Sequence, residues 1–147
     1  MEENIIHIPV RFNETDMMGI VHNSVYYIWF ELARNFFAYN VLDLDFNHIK
    51  ERGITAPVIH SECDYLHVVT YPQTVIVKCY YEMSESARLI LHYEVFCQET
   101  NILVARGKTI NVFLSKEGRL LINKPDFICR AEGFIANKAE LMWHNGQ

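Results

Sequence analysis

Apolar positions follow two periods along this chain. From Val25 to Tyr39 they recur at steps of three and four, and beyond Gly53 the period falls to two. In the first segment Val25, Ile28, Trp29, Leu32, Phe36 and Tyr39 share one side of a helix, and Tyr26, Phe30, Ala33 and Phe37 line a neighbouring side. Only Tyr27, Glu31, Arg34 and Asn35 leave a narrow polar stripe, which predicts a helix buried on several sides. Ser24, or Asn23 before it, is the N-cap candidate, because a short polar side chain there accepts a first-turn N–H.

The alternating part divides at turn signals. Residues 54–70 predict one long strand ending at Tyr71-Pro72. Val75, Val77, Cys79, Tyr81 and Met83 mark a second, and Leu89, Leu91, Tyr93, Val95 and Cys97 a third. Residues 102–114 form a fourth, with Ala105, Gly107 and Thr109 giving it one small face. Ahead of the helix, residues 5–12 predict a strand whose Pro9 suits an edge or an end. Asp43 to Gly53 predicts a loop and short helix closed by Gly53, and Pro125-Asp126 opens a C-terminal helix. One strand, one nearly all-apolar helix and a run of antiparallel strands have a simple common solution. The sheet curls around the helix, giving an α+β fold whose small strand face lets a strand approach the helix backbone.

Composition narrows the picture. At 147 residues, half of them hydrophobic, the chain suits one domain over 1–147, without linker or repeat. Thirteen basic against eighteen acidic residues give −5, with neither sign in a block, which disfavours nucleic acid as a partner. Cys63, Cys79, Cys97 and Cys129 form no Cys-x-x-Cys pair, so zinc and dithiol chemistry are weak readings and reduced core thiols the expected state. "MEENIIHIPV" lacks a basic leader and no apolar run is long enough to span a bilayer, so a cytoplasmic protein is expected.

The stretch "VRFNETDMMGIVHNSVYYIWFELAR", residues 10–34, resembles the N-terminal signature of hot-dog-fold acyl-CoA thioesterases of the 4-hydroxybenzoyl-CoA thioesterase type. The shared features are a first strand, an acid, a Gly-Ile-Val step, a tyrosine and a helix containing Trp-Phe-Glu-x-Ala-Arg, with a looser likeness through "CDYL" at 63–66. The resemblance implies a hot-dog fold, an antiparallel sheet wrapped around a long central helix. It implies Asp16 as the catalytic carboxylate, acting without a metal, with coenzyme A as part of the substrate and not a cofactor.

That chemistry suits a lone acid. A carboxylate can attack a thioester carbonyl to give a mixed anhydride, or activate water as general base. Helix N-terminal amides near Asn23 and Ser24 would polarise the carbonyl, and Gly19 would let the chain turn Asp16 toward them. Asp16 as a plain turn residue is the competing reading, and Glu14 is its nearest rival as the acid. His22, Tyr26 and His60 are candidates to line the substrate site, with Ser61 and His67 on the same predicted strand as His60 but opposite it by alternation. His22 equally suits a loop-carbonyl contact. Family members often carry His-x-Asn before the tyrosine and Arg-Pro after "DYL"; here stand His22, Asn23, Ser24 and Val25, and His67-Val68. Glu31 and Arg34 are expected to pair with each other or with a strand, Glu31 remaining the runner-up acid. Arg88, Arg106 and Lys108 are candidates for the coenzyme A phosphates.

The expected function is hydrolysis of an acyl-CoA, or of an acyl-carrier-protein thioester, by a homodimer or homotetramer joined at sheet edges. Two alternatives stand beside it. A hot-dog enoyl-CoA hydratase or dehydratase would use Asp16 and His22 as acid and base, and a non-catalytic acyl-CoA or acyl-carrier sensor would use the fold for binding alone.

Overall fold

The structure, a computed structural model, describes residues 2–44 and 51–145. Its strands are β1 (Ile5–Pro9), β2 (Val58–Tyr65), β3 (Thr74–Glu82), β4 (Arg88–Cys97) and β5 (Leu103–Val112). Its helices are α1 (Val25–Asn40) and α2 (Asp126–Ile135). The strands form one antiparallel sheet in the order β1-β3-β4-β5-β2, the hot-dog arrangement with α1 against its inner face.

The alternation on β3 and β4 is what builds the inner face. Val75, Val77, Cys79 and Tyr81, with Leu89, Leu91, Tyr93, Val95 and Cys97, are all buried. From α1, Val25, Tyr26, Trp29, Phe30, Ala33 and Phe37 fill the space opposite. Each large side chain so buried contributes about 1.5–3 kcal/mol. Phe30 stacks on Tyr93 at 4.5 Å and Phe37 on Tyr81 at 6.5 Å. The small face of β5 admits this packing, because a Cβ at Gly107 would stand 2.3 Å from the Phe30 ring. Phe30 is itself fully buried and cannot swing away. Gly107→Ala is therefore expected to cost about 1–3 kcal/mol in urea unfolding, as overpacked cores do; an unchanged midpoint would show that the ring has room to retreat.

Several expectations are corrected. The helix is covered on one side and not on several: Ile28, Leu32 and Tyr39 are 49, 47 and 69 % exposed. Five strands curl far enough to cover one face of α1, and the row formed by Ile28, Leu32 and Tyr39 is left open. The long strand expected over 54–70 shrinks to β2, since only Val58–Tyr65 finds a continuous partner, β5. The first strand ends at Pro9, where the chain enters a 3-10 turn at Phe12–Glu14. Ser24 precedes α1 without a side-chain capping bond. Of the expected short helix before Gly53, residues 45–50 lie outside the described residues; Gly53 itself takes a left-handed φ of 67°.

On the outer face the C-terminal segment folds back across the sheet. Trp143 donates its amide to the Tyr81 carbonyl at 2.8 Å and stacks on His92 at 4.2 Å. Burial lowers the His92 pKa from its ordinary value, although Glu82 at 2.7 Å opposes the shift. The folded state thus takes up this proton less readily than the unfolded chain, so stability falls as pH drops below about 6.5. His92→Gln should flatten that part of the acid limb in urea midpoints measured against pH. A variant with the wild-type slope would remove His92 as its source.

Candidate active site

Residues 14–22 form a tight hairpin. The Asp16 amide donates to the Ile20 carbonyl at 2.8 Å, the Gly19 amide to the Asp16 carbonyl at 3.0 Å, and the His22 amide to the Glu14 carbonyl at 2.9 Å. Gly19 takes φ of 77°, a left-handed conformation that a residue with a Cβ resists. The hairpin is clamped to the segment after β2 by an Ile20–Thr70 bridge and a bond from the Val21 amide to the Val69 carbonyl at 2.8 Å.

Asp16 does shape this turn. Its Oδ1 accepts the amides of Met18 at 2.8 Å and Ile20 at 3.4 Å. Those two bonds leave Oδ2 without a protein partner among the described residues, on a half-buried side chain. Glu14, the rival acid, is buried: its Oε1 accepts the Arg11 amide at 2.7 Å and the Arg11 guanidinium lies 3.8 Å from Oε2.

The other half of the candidate site is the entry to α1. The Val25 amide donates to the His22 carbonyl at 3.0 Å, and the Ser24 amide to His22 Nδ1 at 3.2 Å, with Ser24 Oγ 2.7 Å from the same nitrogen. Ser24 therefore spends both its amide and its hydroxyl on His22, which explains why it neither caps the helix nor offers its N–H to a ligand. The Asn23 amide meets no acceptor among the described residues, whereas the Asn23 carbonyl accepts the Tyr65 hydroxyl at 3.0 Å. Asp16 stands two residues along the hairpin from the Glu14–His22 pair, roughly 7 Å by strand rise.

The remaining predicted site residues are scattered. Tyr26 is 3 % exposed, wedged between Trp29 at 4.8 Å and Tyr65 at 5.0 Å. Its burial makes Tyr26 a wall and not a reachable ligand contact, and that burial, then the nearby Cys63, pushes its hydroxyl up to about 12. Register puts His60 on the outer face, the side away from α1, where it meets Glu62 at 3.2 Å. His67 is exposed, its amide on the Val104 carbonyl. Arg88, Arg106 and Lys108 also fall on the outer face; Arg106 stands between Asp64 and Glu94 and Lys108 between Glu62 and His92. Those acids compete for the cations proposed to meet phosphates. Glu31 is exposed, and Arg34 reaches the Tyr93 hydroxyl at 3.5 Å instead of pairing with it. A cavity of about 540 Å³ lined by Arg52, Lys124 and Arg130 lies near the start of α2, though Lys124 is held by Glu132 at 2.9 Å. Tyr65 was not singled out from the sequence. Its only signals were its place in "CDYL" and its alternation with Cys63 on the inward row.

A hot-dog sheet carrying an acid on a hairpin beside the central helix defines the class, and comparison with known proteins agrees. A family model described as the thioesterase-like superfamily matches residues 10–131, and the chain belongs to that family. The candidate acyl-CoA thioesterase YneP of Bacillus subtilis (strain 168) is 29% identical over 91 residues, which span 60% of this chain and 64% of that protein. The chain thus spans just under two thirds of that relative's length. Among solved structures, the DHNA-CoA thioesterase of Staphylococcus aureus is 27% identical with a TM-score of 0.79, covering 91% of each chain. A 1,4-dihydroxy-2-naphthoyl-CoA thioesterase from Synechocystis, at 19% identity, a TM-score of 0.77 and coverage of 86% and 93%, shares the fold. The resemblance read from residues 10–34 holds at the level of the superfamily, and none of these three is by name a 4-hydroxybenzoyl-CoA enzyme.

Proposed function

We propose that the chain hydrolyses an acyl-CoA thioester to a free acid and coenzyme A, with Asp16 as the reacting carboxylate and the Asn23 amide as donor to the carbonyl oxygen. One observation carries this: a carboxylate oxygen on the 14–22 hairpin and a backbone N–H on the residue that leads from it into α1 are both without protein partners among the described residues. Oδ2 attacks the carbonyl carbon, the thiolate of coenzyme A departs and takes a proton, and water opens the mixed anhydride to restore the carboxylate. In the general-base variant Oδ2 takes a proton from water, which attacks directly. In both, negative charge grows on the carbonyl oxygen, where a preorganised amide acts without reorganising. The names of the relatives support a coenzyme A thioester over other esters.

His22 gives little support to a hydratase, since its Nδ1 is committed to Ser24 and it makes no hydrogen bond to Asp16. Thiol release should be followed over short, long and aromatic acyl-CoAs and their acyl-carrier-protein counterparts, with enoyl-CoA hydration read by absorbance in parallel. Turnover of at least one thioester is expected. Tight binding of every member without turnover would favour a sensor, and hydration without hydrolysis the hydratase.

The active form is proposed to be a homodimer or a homotetramer built from homodimers. The open row of α1 and the edge strand β2, where Val58 and Ile59 are 42 and 54 % exposed, together present an apolar surface beside an unpaired strand edge.

A further inference from the structure

We propose that Tyr65 is a positioning residue for this reaction: its hydroxyl fixes the Asn23 carbonyl and, through it, the direction of the Asn23 amide. The assignment rests on the reading of Asp16 and Asn23 given above.

Two peptide planes meet at Asn23. The first joins His22 to Asn23, and its carbonyl accepts the Val25 amide at 3.0 Å. In a trans peptide the N–H points opposite to the C=O, so this bond turns the Asn23 amide away from the helix. The second plane joins Asn23 to Ser24. Its carbonyl accepts the Tyr65 hydroxyl at 3.0 Å, and its amide donates to His22 Nδ1 at 3.2 Å. With both planes pinned, rotation about the Asn23 backbone is blocked, and the one amide left for a ligand keeps its aim. Preorganisation of this kind is what makes a donor effective toward developing charge.

Tyr65 is equipped to hold that carbonyl. It ends β2 opposite Ala105 of β5, so the sheet sets its position. Its ring braces edge-on against the buried Tyr26 at 5.0 Å. Burial, with Cys63 and Tyr27 nearby, pushes its hydroxyl well above the ordinary tyrosine value, so it remains a donor over the whole working range. A Phe at this position keeps the ring and loses the hydroxyl, with its bond to Asn23 and its contacts to Cys63 and Tyr27.

Tyr65→Phe and Tyr65→Leu are to be compared with Asp16→Asn on an acyl-CoA that the wild-type protein hydrolyses. Tyr65→Phe should lower kcat about tenfold, a fraction of the 10²–10³ that follows outright loss of such a donor. KM and Tm should stay near the wild-type values, while Tyr65→Leu lowers Tm as well. Wild-type kcat in Tyr65→Phe would overturn the assignment, as would a fall in kcat matched by a fall in Tm, which marks a merely structural role. The two readings separate cleanly. An inactive Asp16→Asn beside a fully active Tyr65→Phe removes only Tyr65, whereas a fully active Asp16→Asn removes the reaction scheme and this inference with it.

Discussion

Asp16→Asn should lower kcat by about 10²–10⁴, the range that a positioned acid or base supplies, while the hairpin and Tm survive. Survival follows from what Asp16 does in the turn. Its Oδ1 only accepts, from the Met18 and Ile20 amides, and an amide oxygen can accept both. What Asn cannot supply is the second oxygen with its charge and basicity; it presents a weakly basic NH2 where Oδ2 stood. Attack on the carbonyl and activation of water both fail for the same reason, so the substitution does not distinguish nucleophile from base. KM should hardly move, because the lost interaction belongs to the transition state and not to ground-state binding. Thiol release by wild-type and variant, with circular dichroism melts of both, provides the check. Turnover within a factor of two of wild type would leave Asp16 as a turn residue and nothing more.

The turn that Asp16 shapes explains why the sequence could not decide between the two readings of this residue. An Asp two residues before a bonded amide and three before Gly19 is a turn signal, and the same atoms carry the catalytic possibility. The family match places the chain among thioesterase-like proteins, and the geometry leaves Oδ2 unspent among the described residues. By contrast, β3, β4 and the span of α1 were legible because their periods report burial against one continuous partner, each other. Gly107 was legible as part of a small face, although Phe30 as its neighbour was not, since that contact is set by how the strand crosses the helix. Register hid more. His60 and Lys108 look like ordinary strand residues until pairing with β5 and β4 assigns them to the outer face. The expected strand over 54–70 failed because alternation can persist beyond the point where a strand has a partner. Ser24 has the composition of a cap, but His22 two residues earlier outcompetes the helix for its hydroxyl. Tyr65 acts through a bond to a residue 42 positions away, for which one sequence carries no local signal.

The open row of α1 was misjudged for a related reason, and it yields the second large effect. Apolar periodicity tells which residues avoid water, not whether this chain or a second copy removes them from it. Leu32 lies at the middle of the row, 47 % exposed, one turn from Ile28 and beside the half-buried Phe36. If a second copy covers that row, Leu32→Asp would bury an unpaired carboxylate, which costs about 3–5 kcal/mol. At 1.4 kcal/mol per tenfold, the dissociation constant should rise by about 10²–10⁴, and sedimentation at micromolar protein should show the mass falling to that of one chain. The monomer itself should remain folded, since in the separated chain the new side chain meets water. Wild-type protein running as a monomer at every concentration would dismiss the assembly outright. A Leu32→Asp variant that stays associated would move the interface off the helix, leaving the free edge of β2 as the surface through which copies join.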